Sequence, residues 1–199
     1  MTIDKKYVDQ IINVTSKAAI ASSQLIGKKD KIAADQAAVD AMRSELNKID
    51  ITGEIVIGEG SLDEAPMLYT GEILGKKKGP EFDIAVDPLE GTNFAANNLP
   101  GALSVIAVAE KGNLFKAPET YMHKIASAKV ERGLIDLDYS VKKNIENFAE
   151  FKNTTPSNLT ECVLDRHRHK EIIEDLSKLK VKIKLITDGD VAGALLVTK

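Results

Sequence analysis

Two carboxylates that follow a predicted buried strand are the first residues of chemical interest. The apolar run at residues 84–86 predicts the end of such a strand, which brings Asp87 to its carboxyl end. Pro88 and Gly91 then predict a tight turn that contains Glu90, the second carboxylate. Carboxylates held this close repel each other unless a cation lies between them, and oxygen ligands favour Mg²⁺ or Mn²⁺. The alternative is an ordinary turn with solvated acidic side chains.

Two nearby features extend this chemistry. Thr92 follows the predicted turn, and a hydroxyl beside a bound cation can orient an attacking water. Upstream, the apolar run at residues 55–57 is followed by Gly58 and Glu59, which repeats the order of strand, glycine and carboxylate. The sequence therefore predicts a metal-dependent site built at the ends of two strands.

Helices and further strands must position these residues. Apolar and small residues recur at helical spacing over residues 4–26 and 30–47. Asp35 lies near the start of the second helix, where the helix dipole favours a carboxylate, so spacing alone indicates a helix-capping role. Further strands are predicted at residues 54–57, 103–109 and 114–115, and residues 93–101 are predicted to be a loop that covers the site.

In the C-terminal part of the sequence, predicted strands and helices alternate. After a helix that Ser140 is predicted to cap, strands at 161–164 and 181–186 alternate with helices at 170–179 and from 191 onward. Such alternation predicts parallel strands, whose ligands bind at the carboxyl ends. The polar segment at 153–158 is the predicted joint, which gives one domain over residues 1–155 and the start of a second α/β domain (βαβα) over residues 156–199.

Basic residues follow the first of these C-terminal strands. Arg166, His167 and Arg168 lie just before a helix, where positive charge opposes the helix dipole. A bound phosphate would relieve this conflict, and the alternative is a solvated basic patch. A zinc site formed by Cys162, His167 and His169 is a weaker hypothesis, because the spacing fits no standard ligand pattern.

Acidic residues follow the second strand. Asp188, Gly189 and Asp190 lead directly into a helix. One interpretation is that Asp190 caps this helix, and the other is that these carboxylates accept hydrogen bonds from ligand hydroxyls. Tyr121, considered by itself, is typical of a core residue whose hydroxyl reaches the surface.

The composition limits the class of protein. With 199 residues, of which 43% are hydrophobic, the chain can bury a substantial core and is not disordered. The formal net charge of -3 argues against a nucleic-acid-binding protein. The N-terminus has no apolar signal core, and no apolar run is long enough to cross a bilayer. Because Cys162 is the single cysteine, the sequence indicates a cytoplasmic protein.

Several motifs together resemble one family, the bacterial class II fructose-1,6-bisphosphatases of the metal-dependent, lithium-sensitive sugar and inositol phosphatase superfamily. The resemblance runs from about residue 8 to the end of the sequence. The motifs that carry it are Asp35 with its neighbours at residues 30–43, Ile57-Gly58-Glu59-Gly60, Asp63-Glu64-Ala65-Pro66-Met67-Leu68-Tyr69, Asp87-Pro88-Leu89-Glu90-Gly91-Thr92 and Asp188-Gly189-Asp190.

This resemblance implies a fold, an activity and a site. The implied fold is α/β (α+β), layered αβαβα, with an incomplete second α/β domain. The implied activity is hydrolysis of the 1-phosphate of fructose 1,6-bisphosphate in gluconeogenesis, and also of sedoheptulose 1,7-bisphosphate, by a cytoplasmic homo-oligomer. The implied Mn²⁺ or Mg²⁺ ligands are Asp35, Glu59, Asp87 and Glu90, with Thr92 orienting the water. The implied substrate-binding residues are Glu90, Gly91, Thr92, Tyr121, Arg166, His167, Arg168, Asp188, Gly189 and Asp190.

Two alternatives remain open at this stage. An inositol or nucleotide phosphatase of the same superfamily is one, although the Gly-Glu-Gly motif does not belong to those branches. The other is a remnant that folds and binds metal or sugar phosphate without efficient turnover. Family members continue past the point that matches Lys199, where a Gly-Gly-Ala-Pro-Glu-Gly motif provides a further metal ligand. We therefore expect this chain alone to be a poor phosphatase, with an exposed sheet edge at Val181, Ile183 and Leu185.

Overall fold

The computed structural model describes residues 3–61, 67–118 and 120–198. The chain divides into two compact units, Met1–Thr120 and Tyr121–Lys199, which we call the N-terminal and the C-terminal unit. The division lies earlier than the boundary predicted between residues 155 and 156. The reason is the helix at 141–151, whose side chains Ile145 and Ala149 share a core with Leu176.

The N-terminal unit is a layer of helices on a mixed sheet. Its helices are α1 (Lys5–Ser23), α2 (Lys31–Leu46) and α3 (Thr92–Ala96), and its strands are β1 (Thr52–Ile57), β2 (Ile73–Leu74), β3 (Glu81–Glu90) and β4 (Leu103–Glu110). The strand order is β2-β1-β3-β4, in which β1 and β3 are parallel and the other two pairs are antiparallel. The mixed α/β class predicted from the sequence is confirmed.

Small residues on the predicted helices explain how α1 and α2 pack together. Ala18 on α1 and Ala34 and Ala38 on α2 are fully buried, which lets the helices approach closely. Asp30 begins α2, because its side chain accepts a hydrogen bond from the backbone N–H of Ala33 at 2.9 Å. Large apolar side chains from α2, from the sheet and from the segment between them form the core, each contributing about 1.5–3 kcal/mol by burial. They include Met42, Leu46, Ile51, Ile55 and Ile84.

The turn predicted at Pro88 is wrong, because β3 continues to Glu90. The pairing of β3 with β4 shifts in register between Asp87 and Glu90, so Pro88 lies at a bulge, where its missing N–H breaks no ladder hydrogen bond. The chain turns at Gly91, whose φ of 80° suits a residue without a side chain. The short helix α3 follows, where the sequence predicted a loop.

The strand predicted at residues 114–115 is also wrong. The backbone N–H groups of Gly112 and Leu114 donate to the carboxylate of Asp83, at 2.7 and 3.2 Å, rather than to a neighbouring strand. Asp83 lies within β3 and is buried. Phe115 is 73% exposed, so its ring is not buried as the side chain of a core strand would be.

The C-terminal unit contains the predicted alternation of strands and helices. Its elements are α4 (Val141–Phe151), β5 (Thr160–Leu164), α5 (Lys170–Lys178), β6 (Lys182–Ile186) and α6 (Asp190–Leu195). Ser140 caps α4 as predicted, because its hydroxyl accepts a hydrogen bond from the N–H of Lys143 at 3.2 Å. The strands β5 and β6 are parallel, also as predicted. The predicted exposure is wrong for Val181, which is buried in the core of this unit, whereas Leu185 is exposed as predicted. None of the helices in the described ranges has the length and hydropathy needed to cross a bilayer.

Candidate active site

Parallel pairing brings two of the predicted metal ligands to one edge of the N-terminal sheet. Glu59 follows the end of β1, and Asp87 lies near the end of β3. Because β1 and β3 are parallel neighbours, their carboxyl ends meet at the same edge. Glu90 is the last residue of β3 and is only 6% exposed.

Asp35 does not cap α2, so the interpretation from spacing alone was wrong. Asp30 occupies the capping position, and the first turn of α2 contains no acidic residue. Asp35 is instead partly buried further along the helix, and burial raises the pKa of its carboxyl group. A carboxylate that is partly desolvated without a capping role is consistent with the ligand role that the family resemblance implies.

Electrostatic coupling links three of the four predicted ligands. Burial, followed by the charges of Asp35 and Asp87, raises the pKa of Glu59 to about 7. The charges of Asp35 and Asp87 therefore lie close enough to Glu59 to oppose its ionisation, and a hard divalent cation would reverse this effect. The donor set contains only oxygen, which suits Mg²⁺ or Mn²⁺.

The carboxylates are near one another but do not form a ready-made ligand shell. Within the described ranges, no three His, Cys, Asp or Glu side chains are placed so that they could together hold one ion. Like charges repel, and drawing these side chains onto one point requires the charge of the ion itself. Asp63–Pro66, the acidic motif that contributed to the family resemblance, lies outside the described residues.

The raised pKa of Glu59 predicts a specific pH dependence of stability in the metal-free protein. Between about pH 4.5 and pH 7 the unfolded chain loses the Glu59 proton while the folded chain keeps it. The free energy of unfolding should therefore fall as the pH rises through this window, because the folded state binds more protons. Glu59→Gln removes the titrating group and should lack this part of the fall.

Denaturant unfolding with a chelator present, at several pH values between 4 and 8, measures this effect. The difference in unfolding free energy between Glu59→Gln and the wild type should grow in favour of the variant as the pH rises. Glu81→Gln, at an exposed site on β3, is the matched control and should show no such trend. If the free energy of unfolding has the same pH dependence in the wild type and in Glu59→Gln, the raised pKa of Glu59 is contradicted.

The turn after β3 places Gly91 and Thr92 at the start of α3. Gly91 precedes the helix in a left-handed conformation, and a Cβ at this position would lie 3.1 Å from the ring of Phe94. Its carbonyl oxygen accepts a hydrogen bond from the N–H of Phe94 at 2.8 Å. Thr92 is the first helical residue and is partly exposed. The predicted water-orienting hydroxyl therefore follows directly after Glu90.

In the C-terminal unit, the ends of β5 and β6 bring together Arg166 and Asp188. The strands end in register at Leu164 and Ile186. The distance from Arg166 Nη2 to Asp188 Oδ1 is 3.9 Å; Arg166 is exposed and Asp188 is half-buried. Arg166 and Asp188, which the family resemblance assigns to substrate binding, therefore lie close together at the carboxyl ends of β5 and β6.

Arg168 and Tyr121 form a second pair in this unit. The guanidinium carbon of Arg168 lies 4.0 Å from the centre of the Tyr121 ring, which is the geometry of a cation–π contact. Tyr121 is 81% exposed, so its interpretation as a core residue is wrong. His167 lies in the 3₁₀ turn between β5 and α5, while His169 Nδ1 lies 2.8 Å from the carbonyl oxygen of Leu164. Nothing among the described residues supports the zinc hypothesis.

Asp190 is linked to a lysine that sequence reasoning missed. Lys124 Nζ lies 2.6 Å from Asp190 Oδ2. Gly189 precedes α6 with φ 79°, and the Asp190 side chain does not cap the helix. The pairing of Lys124 with Asp190 joins residues far apart in the sequence, and no local motif indicates it.

Comparison with known proteins decides the family. The profile described as bacterial fructose-1,6-bisphosphatase, glpX-encoded, matches residues 5–199. The chain belongs to this family. It is 45% identical over 205 residues to the D-fructose 1,6-bisphosphatase class 2/sedoheptulose 1,7-bisphosphatase of Synechococcus sp. (strain JA-3-3Ab), with 97% of this chain and 59% of the relative covered.

Two other relatives carry the same name. The chain is 44% identical over 198 residues to that of Synechococcus elongatus (strain ATCC 33912 / PCC 7942 / FACHB-805), with 94% of this chain and 57% of the relative covered. It is 43% identical over 193 residues to that of Prochlorococcus marinus (strain MIT 9312), with 97% and 58% covered. The chain thus spans less than two thirds of the length of these curated relatives.

Proposed function

We propose that this protein is a divalent-metal-dependent phosphatase that hydrolyses the 1-phosphate of fructose 1,6-bisphosphate, and that it also accepts sedoheptulose 1,7-bisphosphate. The observation that carries the proposal is the coupling of Glu59 with Asp35 and Asp87, which crowds negative charge where a cation would bind. The names of the relatives supply the substrate class. The implied pathway is gluconeogenesis or the cycling of pentose phosphates.

In the N-terminal unit, four carboxylates would hold Mn²⁺ or Mg²⁺. When bound, such ions polarise phosphoryl oxygens and lower the pKa of a water molecule. The Thr92 hydroxyl would accept a hydrogen bond from the attacking water and fix its direction. Gly91 would contact the phosphate through its backbone, at a turn where a side chain would approach the Phe94 ring. The proposed ligands are Asp35, Glu59, Asp87 and Glu90.

In the C-terminal unit, charged groups would bind the sugar phosphate. Arg166 and Arg168 would each form charge-assisted hydrogen bonds with phosphate oxygens. Asp188 and Asp190 would accept hydrogen bonds from sugar hydroxyls, since carboxylates are good acceptors. Tyr121 would support Arg168 through the contact between its ring and the guanidinium. His167 and Gly189 complete the proposed set.

Three finer properties belong to the same proposal. The oxygen-only donor set leaves Mn²⁺ and Mg²⁺ as the candidate metals. The single cysteine, Cys162, is consistent with work in the reducing cytoplasm. The two-stranded sheet formed by β5 and β6, with exposed Leu185 on β6, is consistent with a homo-oligomer.

A substrate panel tests this proposal. With saturating Mn²⁺, we expect phosphate release from fructose 1,6-bisphosphate and sedoheptulose 1,7-bisphosphate, little from inositol phosphate or phosphoadenosine phosphate, and none after chelation. Preferred hydrolysis of inositol phosphate would support the other branch of the superfamily. Mn²⁺ binding without any turnover would support the non-catalytic remnant, which the comparisons do not favour because the relatives are named as bisphosphatases.

A further inference from the structure

An ion pair between Arg43 and the buried carboxylate of Glu72 is a feature of the N-terminal unit that the proposed function does not use. Glu72 is only 5% exposed, and its Oε1 lies 2.7 Å from Arg43 Nε. Arg43 lies on α2, the helix that carries Asp35. A carboxylate is seldom buried without a compensating charge, so the Arg43 guanidinium determines where the Glu72 side chain lies.

The other carboxylate oxygen of Glu72 contacts Leu68, a residue with an unusual backbone conformation. Glu72 Oε2 accepts a hydrogen bond from the N–H of Leu68. Leu68 is fully buried, and its φ of 57° lies in the left-handed region that residues with a side chain rarely adopt. Such a conformation persists only where the surroundings impose it, and the hydrogen bond to Glu72 is one of the contacts that do so.

The carbonyl oxygen of Leu68 connects this segment to the backbone of Glu59. It accepts a hydrogen bond from the backbone N–H of Glu59 at 3.0 Å. A Cβ at Gly58 would collide with the same carbonyl oxygen, so the glycine permits the close approach. A continuous series of contacts therefore leads from Arg43 on α2, through Glu72 and Leu68, to the backbone of Glu59.

We propose that Arg43 and Glu72 are positioning residues that fix the backbone of Glu59 for cation binding. The inference rests on the proposed role of Glu59 as a metal ligand. Side chains that orient a metal ligand typically change metal affinity by about 10- to 100-fold when they are altered. Because Arg43 shares α2 with Asp35, the same contacts also tie Glu59 to the helix that carries a second proposed ligand.

Hydrogen exchange in the metal-free protein tests the positioning directly. The Glu59 amide should exchange roughly tenfold faster or more in Arg43→Gln and Glu72→Gln than in the wild type, because its acceptor is no longer held. Glu81→Gln removes the exposed ion pair with Lys111 and is the matched control, with unchanged Glu59 exchange. Arg43 is 41% exposed, so Arg43→Gln decides the question even if the Glu72 variant does not fold.

A double-mutant cycle on Mn²⁺ affinity tests the consequence. Arg43→Gln should weaken Mn²⁺ binding about 10- to 100-fold in the wild type and not at all in a Glu59→Gln background, because both changes act through one ligand. Wild-type affinity in Arg43→Gln, or the same loss in both backgrounds, would overturn the proposal. If Glu59→Gln alone leaves the affinity unchanged, the ligand role of Glu59 fails, whereas hydrogen exchange still reports whether Arg43 and Glu72 hold its backbone.

Discussion

Asp87→Asn is expected to weaken Mn²⁺ binding by more than about 100-fold, which exceeds the 10- to 100-fold effect of residues that only orient a ligand. Asparagine keeps the size of the side chain but removes the negative charge that attracts the cation. Asp87 lies near the end of β3, one of the two central strands of the N-terminal sheet, so the substitution should leave the fold intact. Turnover of fructose 1,6-bisphosphate should fall with the metal affinity.

Calorimetric titration with Mn²⁺ measures the effect of Asp87→Asn. Thermal unfolding of the metal-free variant shows whether the fold is kept. Glu81→Gln lies at the opposite end of the same strand, where the exposed carboxylate pairs with Lys111 at 2.9 Å, and it serves as the matched control. An affinity in Asp87→Asn equal to that of the control would show that the metal site lies elsewhere.

The double substitution Arg166→Ala/Arg168→Ala should strongly weaken binding of fructose 1,6-bisphosphate while leaving Mn²⁺ affinity unchanged. Loss of one charge-assisted hydrogen bond costs about 1.5–3 kcal/mol, which corresponds to roughly 10- to 150-fold in Kd for each arginine. Mn²⁺ affinity should persist because the proposed metal ligands belong to the N-terminal unit.

The control for the arginine pair must remove the same charge from the same unit. Lys142→Ala/Lys178→Ala does so at exposed positions on α4 and α5, where both lysines pair with neighbours on their own helices. Binding of fructose 1,6-bisphosphate to Asp87→Asn, in which turnover is expected to be low, with and without each double substitution, separates affinity from turnover. Equal affinities in the two double variants would restore the interpretation of a solvated basic patch.

Sequence reasoning was reliable where the information is local. Helical periodicity placed α1 and α2 to within a few residues, and Ser140 was predicted to cap α4. The alternation after residue 153 predicted parallel strands, which β5 and β6 form. The motifs around Glu59 and Asp87 also indicate the family, because each is a contiguous run of residues.

Errors arose where a local signal competed with pairing across the sheet. Pro88 predicts a turn in isolation, but β4 pairs on both sides of it, and the bulge accommodates its missing N–H. The apolar residues Leu114 and Phe115 suggested a strand, yet the buried carboxylate of Asp83 takes up the backbone N–H groups of this segment. Both outcomes depend on partners that are distant in the sequence.

The sequence by itself determined the mixed α/β class, the principal elements and the family, because periodicity and contiguous motifs are properties of neighbouring residues. Only the tertiary structure decided that Asp35 is not a helix cap and that burial, together with the charges of Asp35 and Asp87, raises the pKa of Glu59. It also decided the division after Thr120 and the contacts from Arg43 to Glu59 through Glu72 and Leu68. Burial and through-space charge depend on which distant segments the fold brings together, and no local pattern encodes them.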